Sequence, residues 1–174
     1  MEPAVIRILS ALAIITTSAF AIAPAAQASE PKLQATYSDW RVYTRGAGND
    51  RICYALSSPS SLSPKAVNHG KVFFMVSNWK NGAAKEQPSL MTGYAFKLNS
   101  PPNARVGSTK IPMYVSQNEA FVETDGDETR LVKNMKKGSI MRVSAVSERG
   151  TATSYEFSLK GVTAATQKAT ALCK

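Results

Sequence analysis

The stretch Lys71-Val72-Phe73-Phe74-Met75-Val76-Ser77-Asn78-Trp79-Lys80 decides the fold class. Successive side chains of an extended chain point to opposite faces, and here both faces are apolar from Val72 to Val76. That predicts a central strand covered on both sides. Upstream, Trp40, Val42 and Thr44 alternate with Asp39, Arg41 and Tyr43, the period of a half-buried strand. Turn formers at 46–50 (GAGND) lead into a second β pattern at 51–57 (RICYALS), which together read as a hairpin. Residues 29–36 read as a polar leader, and 57–64 (SSPSSLSP) as a surface loop, because prolines and serines sustain neither ladder nor helix. Downstream, 81–85 (NGAAK) turns the chain towards a strand at 90–98 (LMTGYAFKL) with Gly93 as a candidate bulge. After a break at 99–103 (NSPPN), short strands are predicted at 110–115 and 120–124.

One helix interrupts this text. Residues 129–137 carry Leu131, Val132 and Met135 on one face and Arg130, Lys133 and Lys137 on the other, with Asp125 or Asp127 as cap and Gly138 as stop. A cleaner hairpin follows, 139–147 (SIMRVSAVS) and 151–160 (TATSYEFSLK), turning at Glu148-Arg149-Gly150. The period then changes: Val162, Ala165, Ala169 and Leu172 recur at helical spacing. The expected architecture is all-β, antiparallel and β-sandwich-like, with one short internal helix and a short C-terminal helix.

Residues 1–28 have the parts of a cleaved secretory signal: Arg7, an apolar stretch from Ile8 to Ala23, and Ala26-Gln27-Ala28 as a small-x-small cleavage pattern. The remainder, 29–174, suits a single domain with no transmembrane segment after cleavage. Export places the two cysteines in an oxidising compartment, so Cys53 and Cys173 are predicted to form a disulfide.

The chain of 174 residues has 21 Lys+Arg, 12 Asp+Glu and one His, a formal net charge of +9. One His and two Cys leave little for a zinc site or for His-based catalysis, so no metal, no cofactor and no enzymatic activity are expected. His69 lies in Asn68-His69-Gly70 just before the central strand, the local serines at 57–63 form no GxSxG elbow, and it reads as an exposed turn residue. The acidic run 124–128 (TDGDE) lacks an EF-hand frame and reads as a helix start. Trp40, Trp79, Tyr94 and Phe96 could form a stacking platform for sugars or lipids; Trp40 and Phe96 read as core, and Trp79 is left open at a strand end. The basic excess draws polyanions. Arg130, Lys133, Lys136, Lys137 and Arg149, concentrated on one helix face and the neighbouring hairpin turn, are the candidate binding residues. Nucleic acid is not expected as the partner, since no nucleic-acid-binding motif is present.

Several segments in sequence resemble the invasion-associated locus B family of exported alphaproteobacterial proteins. The matching text is SDWRVYT (38–44), Ile52-Cys53-Tyr54, FFMVSNW (73–79), GYAFK (93–97), RLVKNMKKGS (130–139), SERGT (147–151) and YEFSLKGV (155–162), ending at Cys173. Other members carry an extra Cys in the first strand where this chain has Thr44. The resemblance implies a sandwich-like domain in the periplasm or outer envelope of a Gram-negative bacterium. For the named member it implies a part in entry into host cells, and it offers no catalytic residues. The expectation is thus an exported, monomeric, non-enzymatic envelope protein. It would bind an anionic envelope component, a host glycan or an envelope protein through a basic face. Its rivals are an adhesion or invasion module at the outer surface and a small periplasmic hydrolase.

Overall fold

Period-two alternation becomes two antiparallel sheets in the computed structural model, which describes residues 29–174. The signal-peptide reading of 1–28 lies outside the described residues. In chain order the strands are β1 (Lys32–Tyr37), β2 (Trp40–Arg45), β3 (Ile52–Ser57), β4 (Ser61–Ser63), β5 (Phe73–Trp79), β6 (Gln87–Met91), β7 (Asn103–Val106), β8 (Thr109–Pro112), β9 (Tyr114–Ser116) and β10 (Glu119–Phe121). Helix α1 (Asp125–Met135) precedes β11 (Ile140–Val146) and β12 (Ala152–Ser158), and helix α2 (Val162–Leu172) ends the fold. One sheet has the order β1-β2-β3-β5-β6-β10-β9, the other β4-β12-β11-β7-β8.

The strand predicted to be central is central: β5 sits fourth of seven, between β3 and β6. Its Phe74 and Val76 point into the core, where Phe74 meets Phe157 of β12 with ring centroids 5.7 Å apart. Trp40 is fully buried and its Nε1 donates to the Ser158 carbonyl at 2.9 Å, tying the two sheets together. Burial of such large side chains contributes about 1.5–3 kcal/mol each. Helix α1 packs Leu131, Val132 and Met135 inward against β6, β7 and β8. Helix α2 lies on β1, β2, β3 and β5 and brings Cys173 to Cys53, which are disulfide-bonded. Because Cys53 is buried on the core side, α2 covers that side and leaves the outer side of the seven-stranded sheet without a layer among the described residues.

Several local expectations are corrected. The polar leader is strand β1, which pairs with β2; an edge strand is held by its backbone ladder and tolerates polar side chains. Part of the serine-rich loop forms the short edge strand β4, which places Leu62 opposite Tyr155. Strand β7 begins at Asn103, the last residue of the predicted break. The helix cap is Thr124, whose hydroxyl accepts from the Asp127 N–H at 3.2 Å, so α1 starts at Asp125 and its acids fill the first turn, where the helix dipole favours them. Gly93 makes no bulge; it is a close-approach glycine. A Cβ on it would lie 2.6 Å from the Gly70 Cα, and this contact presses the loop before β5 onto the sandwich.

The expectation that β5 is covered on both sides also fails on one face. Phe73, Met75 and Trp79 are only half-buried, and they look outward into an open groove.

Candidate functional site

The outer face of a sandwich sheet is ordinarily its polar face. Here it is largely apolar and aromatic, with small polar residues on the two middle strands. In one row, Arg41 of β2 stands opposite Leu56 of β3, Leu56 opposite Met75, Met75 opposite Ser89, Ser89 opposite Phe121 and Phe121 opposite Tyr114. The next row runs Tyr43, Tyr54, Ser77, Gln87, and beyond it stand Arg45, Ile52 and Trp79. On the other side Phe73 faces Met91, and Met91 faces Glu119. Small Ser77 and Ser89 occupy the two middle strands and are buried, so they make a floor between larger flanking side chains. Tyr43 stacks on Tyr54 at 5.7 Å on one flank, and Tyr114 lies 5.8 Å from Phe121 on the other. The result is a groove of about 720 Å³.

Charge is confined to its ends. Arg41 and Arg45 are exposed on β2 and form no ion pair among the described residues; the Arg45 Nε donates to the Ser29 carbonyl at 3.2 Å. Burial raises the Tyr54 hydroxyl above its ordinary pKa, Tyr43 adds to that, and the Arg45 guanidinium pulls it the other way. At the opposite flank, burial holds the Glu119 carboxyl above the ordinary value of 4.5. A carboxyl raised in the folded state stabilises the fold below its unfolded pKa and loses that contribution as pH rises through the folded value. Glu119→Gln is therefore expected to melt higher than the parent at pH 7 and level with it near pH 4 (thermal melts at both values). An equal difference at the two pH values would contradict the assignment.

A second polar cluster lies elsewhere. His69 is buried, not exposed as expected: its loop is held close to Gly93, and its ring packs edge-on against Tyr155 of β12. Its Nε2 is hydrogen-bonded to the Pro64 carbonyl at 2.8 Å and its Nδ1 to the Tyr155 hydroxyl at 2.9 Å. Tyr155 continues to the Tyr94 hydroxyl at 2.9 Å, and Tyr94 to Thr153 at 2.7 Å. Both ring nitrogens are engaged inside the protein. Burial, followed by the Tyr94 hydrogen bond, pushes the Tyr155 hydroxyl far above its ordinary range. An adjacent cavity of about 490 Å³ is lined by His69, Tyr94, Glu148 and Arg149 among others.

The family model described as "Invasion associated locus B (IalB) protein" matches residues 40–170. The chain belongs to the invasion-associated locus B family. In three dimensions it is similar to the crystal structure of invasion associated protein B from Bartonella henselae, with a TM-score of 0.56 and 14% sequence identity over 83% of this chain and 98% of that one. At that identity the likeness bears on the fold. No curated protein sequence matches the chain.

Within this invasion-associated locus B fold four of the residues expected to form one basic face lie on or just after α1, and Arg149 stands apart from them. Arg130 pairs with Asp127 at 2.5 Å and Lys136 with Glu86 at 2.6 Å. Lys133 and Lys137 stay exposed, without ion pairs among the described residues. Arg149 belongs to the turn at the far end of the β11–β12 hairpin, and the seven residues of β11 separate it from α1 by roughly 20 Å. Of the four aromatic residues weighed as a platform, Trp40 and Phe96 are core, Tyr94 belongs to the His69 cluster, and Trp79 alone enters the groove. The run 124–128 caps and opens α1, and no group of three or more potential metal ligands occurs among the described residues.

The groove residues that were missed carried a signal. Arg41, Tyr43; Ile52, Tyr54, Leu56; and Phe73, Met75, Trp79 are the second faces of three neighbouring strands, and their shared apolar and aromatic content is readable from the alternation.

Proposed function

We propose that this protein is an exported, non-enzymatic binding module of the envelope whose ligand face is the outer face of the seven-stranded sheet. The observation that carries the reading is an apolar groove where a sandwich ordinarily presents polar side chains. Family membership, a disulfide suited to an oxidising compartment, and the absence among the described residues of any helix long and apolar enough to cross a membrane support an envelope setting. The engagement of both His69 nitrogens within the fold argues for a structural His69. An anionic partner remains part of the reading, but its counter-charges shift from the α1 face, where Arg130 and Lys136 already have carboxylate partners, to Arg41 and Arg45.

The test is a binding panel of envelope lipids, envelope polymers and host glycans at low and physiological salt. Met75→Glu, which puts a charge in mid-groove, is compared with the double variant Lys133→Glu/Lys137→Glu. Loss of binding in the first and retention in the second is the expected result. The reverse pattern, with binding that vanishes at physiological salt, would return the site to the helix face.

A further inference from the structure

We propose that the groove takes a single-chain anionic lipid, with its acyl chain laid across the strands and its head group held at the β2 edge by Arg41 and Arg45. This rests on the reading of the groove as the ligand face and names the class of ligand.

The chemistry of the lining selects the class. The groove of about 720 Å³ lies within the ~300–1,000 Å³ typical of small-molecule sites. Leu56, Phe73, Met75, Met91 and Phe121 form a continuous apolar strip that offers no hydrogen bonds, and the uncharged polar groups of the lining, among them Ser77, Gln87 and Ser89, stand beside or beneath it, an arrangement that suits an acyl chain with a polar end. Thioether side chains adapt to a flexible chain. The row from Arg41 to Tyr114 crosses five inter-strand spacings, about 24 Å at ~4.8 Å each. An acyl chain in one bilayer leaflet occupies about 15 Å, so chain and head group fit inside the row. Polarity is graded across the groove: Arg41 at the end of this row and Arg45 farther along β2, neither in an ion pair among the described residues, stand on one side, and Phe121 and Tyr114 on the other. A planar guanidinium matches the paired oxygens of a carboxylate or phosphate. Glu119, beside Met91, disfavours the reverse orientation by repelling an anionic head group.

The experiment is titration of the purified disulfide-bonded protein with palmitate and with hexadecanol below their aggregation limits, read by native mass spectrometry and by the fluorescence of Trp79, which lines the groove. The expected result is one bound chain per protein and a preference for palmitate of about tenfold, the fold-change of one charge-assisted hydrogen bond. Arg41→Gln/Arg45→Gln changes only exposed side chains and is expected to abolish that preference while leaving hexadecanol affinity in place. Equal binding of both chains in the parent, lost in Met75→Glu, would overturn the anionic assignment and leave the groove reading standing. Binding of neither chain overturns the lipid assignment, and the panel above then decides the groove separately. Binding only to phosphatidylglycerol vesicles, or a protein dimer closed over the groove and unaffected by palmitate, would also overturn it.

Discussion

Replacing Cys53 and Cys173 together by serine is expected to lower the stability of the domain by about 4–5 kcal/mol, because the bridge closes a loop of 120 residues whose closure entropy the unfolded chain would regain. For a domain of this size the melting temperature should fall on the order of 10–20 °C. The site of the bridge makes this the most consequential covalent contact in the fold. Cys53 is fully buried in β3, and Cys173 follows the last residue of α2, so the bond fastens the C-terminal helix to the core side of the sheet. Helix α2 has little else to define its start: Gly161 at its N-cap has φ of 94° and provides no side-chain cap, and a Cβ there would lie 2.0 Å from the Tyr37 carbonyl oxygen. The double serine variant should therefore lose amide protection in α2 first and in β1 and β2 beneath it. Hydrogen exchange with peptide resolution distinguishes this from uniform destabilisation, and a melting temperature within a few degrees of the parent would refute the assignment of the bridge as the main staple.

How much of this was legible beforehand depends on which interaction fixed each element. Elements set by their own periodicity were readable: the β2–β3 hairpin, central β5, the β11–β12 hairpin and α2 all follow from alternation or helical spacing. Elements set by a partner were not. Strand β1 has weak apolar alternation and exists because β2 offers it a ladder, and β4 is a serine-rich triplet held opposite Tyr155. His69 follows the same rule: its local text is that of a turn, and it is buried by partners distant in sequence, the Gly93 backbone against Gly70 and the Tyr155 ring and hydroxyl. The basic residues were a matter of chemistry in sequence but of geometry in space. Asp127 is one turn from Arg130 and was visible, whereas Glu86 reaches Lys136 across the fold and Arg149 is carried away by the length of β11. The groove is the instructive case. The apolar character of both faces of β5 was plain, and covering both is the usual outcome, but with α2 on the core side no further layer covers the outer face among the described residues.

Two adjacent phenylalanines in β5 separate those two faces experimentally. Phe74→Ala is expected to destabilise the domain by about 3–5 kcal/mol, since the ring is fully buried and its removal opens a cavity against Phe157 that a two-sheet core cannot readily collapse. Phe73→Ala removes the same atoms from the next position on the opposite face, where the ring is half-buried beside Met91 and one side is already wet. Its cost should be only about 1 kcal/mol, because part of the transfer free energy was never gained and no closed cavity forms. The ranking reverses for ligand. Phe73→Ala should weaken binding in the groove while its melting curve stays near that of the parent, whereas Phe74→Ala, measured well below its own lower melting temperature, should retain ligand affinity. Urea unfolding with palmitate titration on both variants checks the pair. Comparable losses of stability would mean that the Phe73 face is covered in the working protein, by a second copy or another partner, and that the groove is an interface rather than an open site.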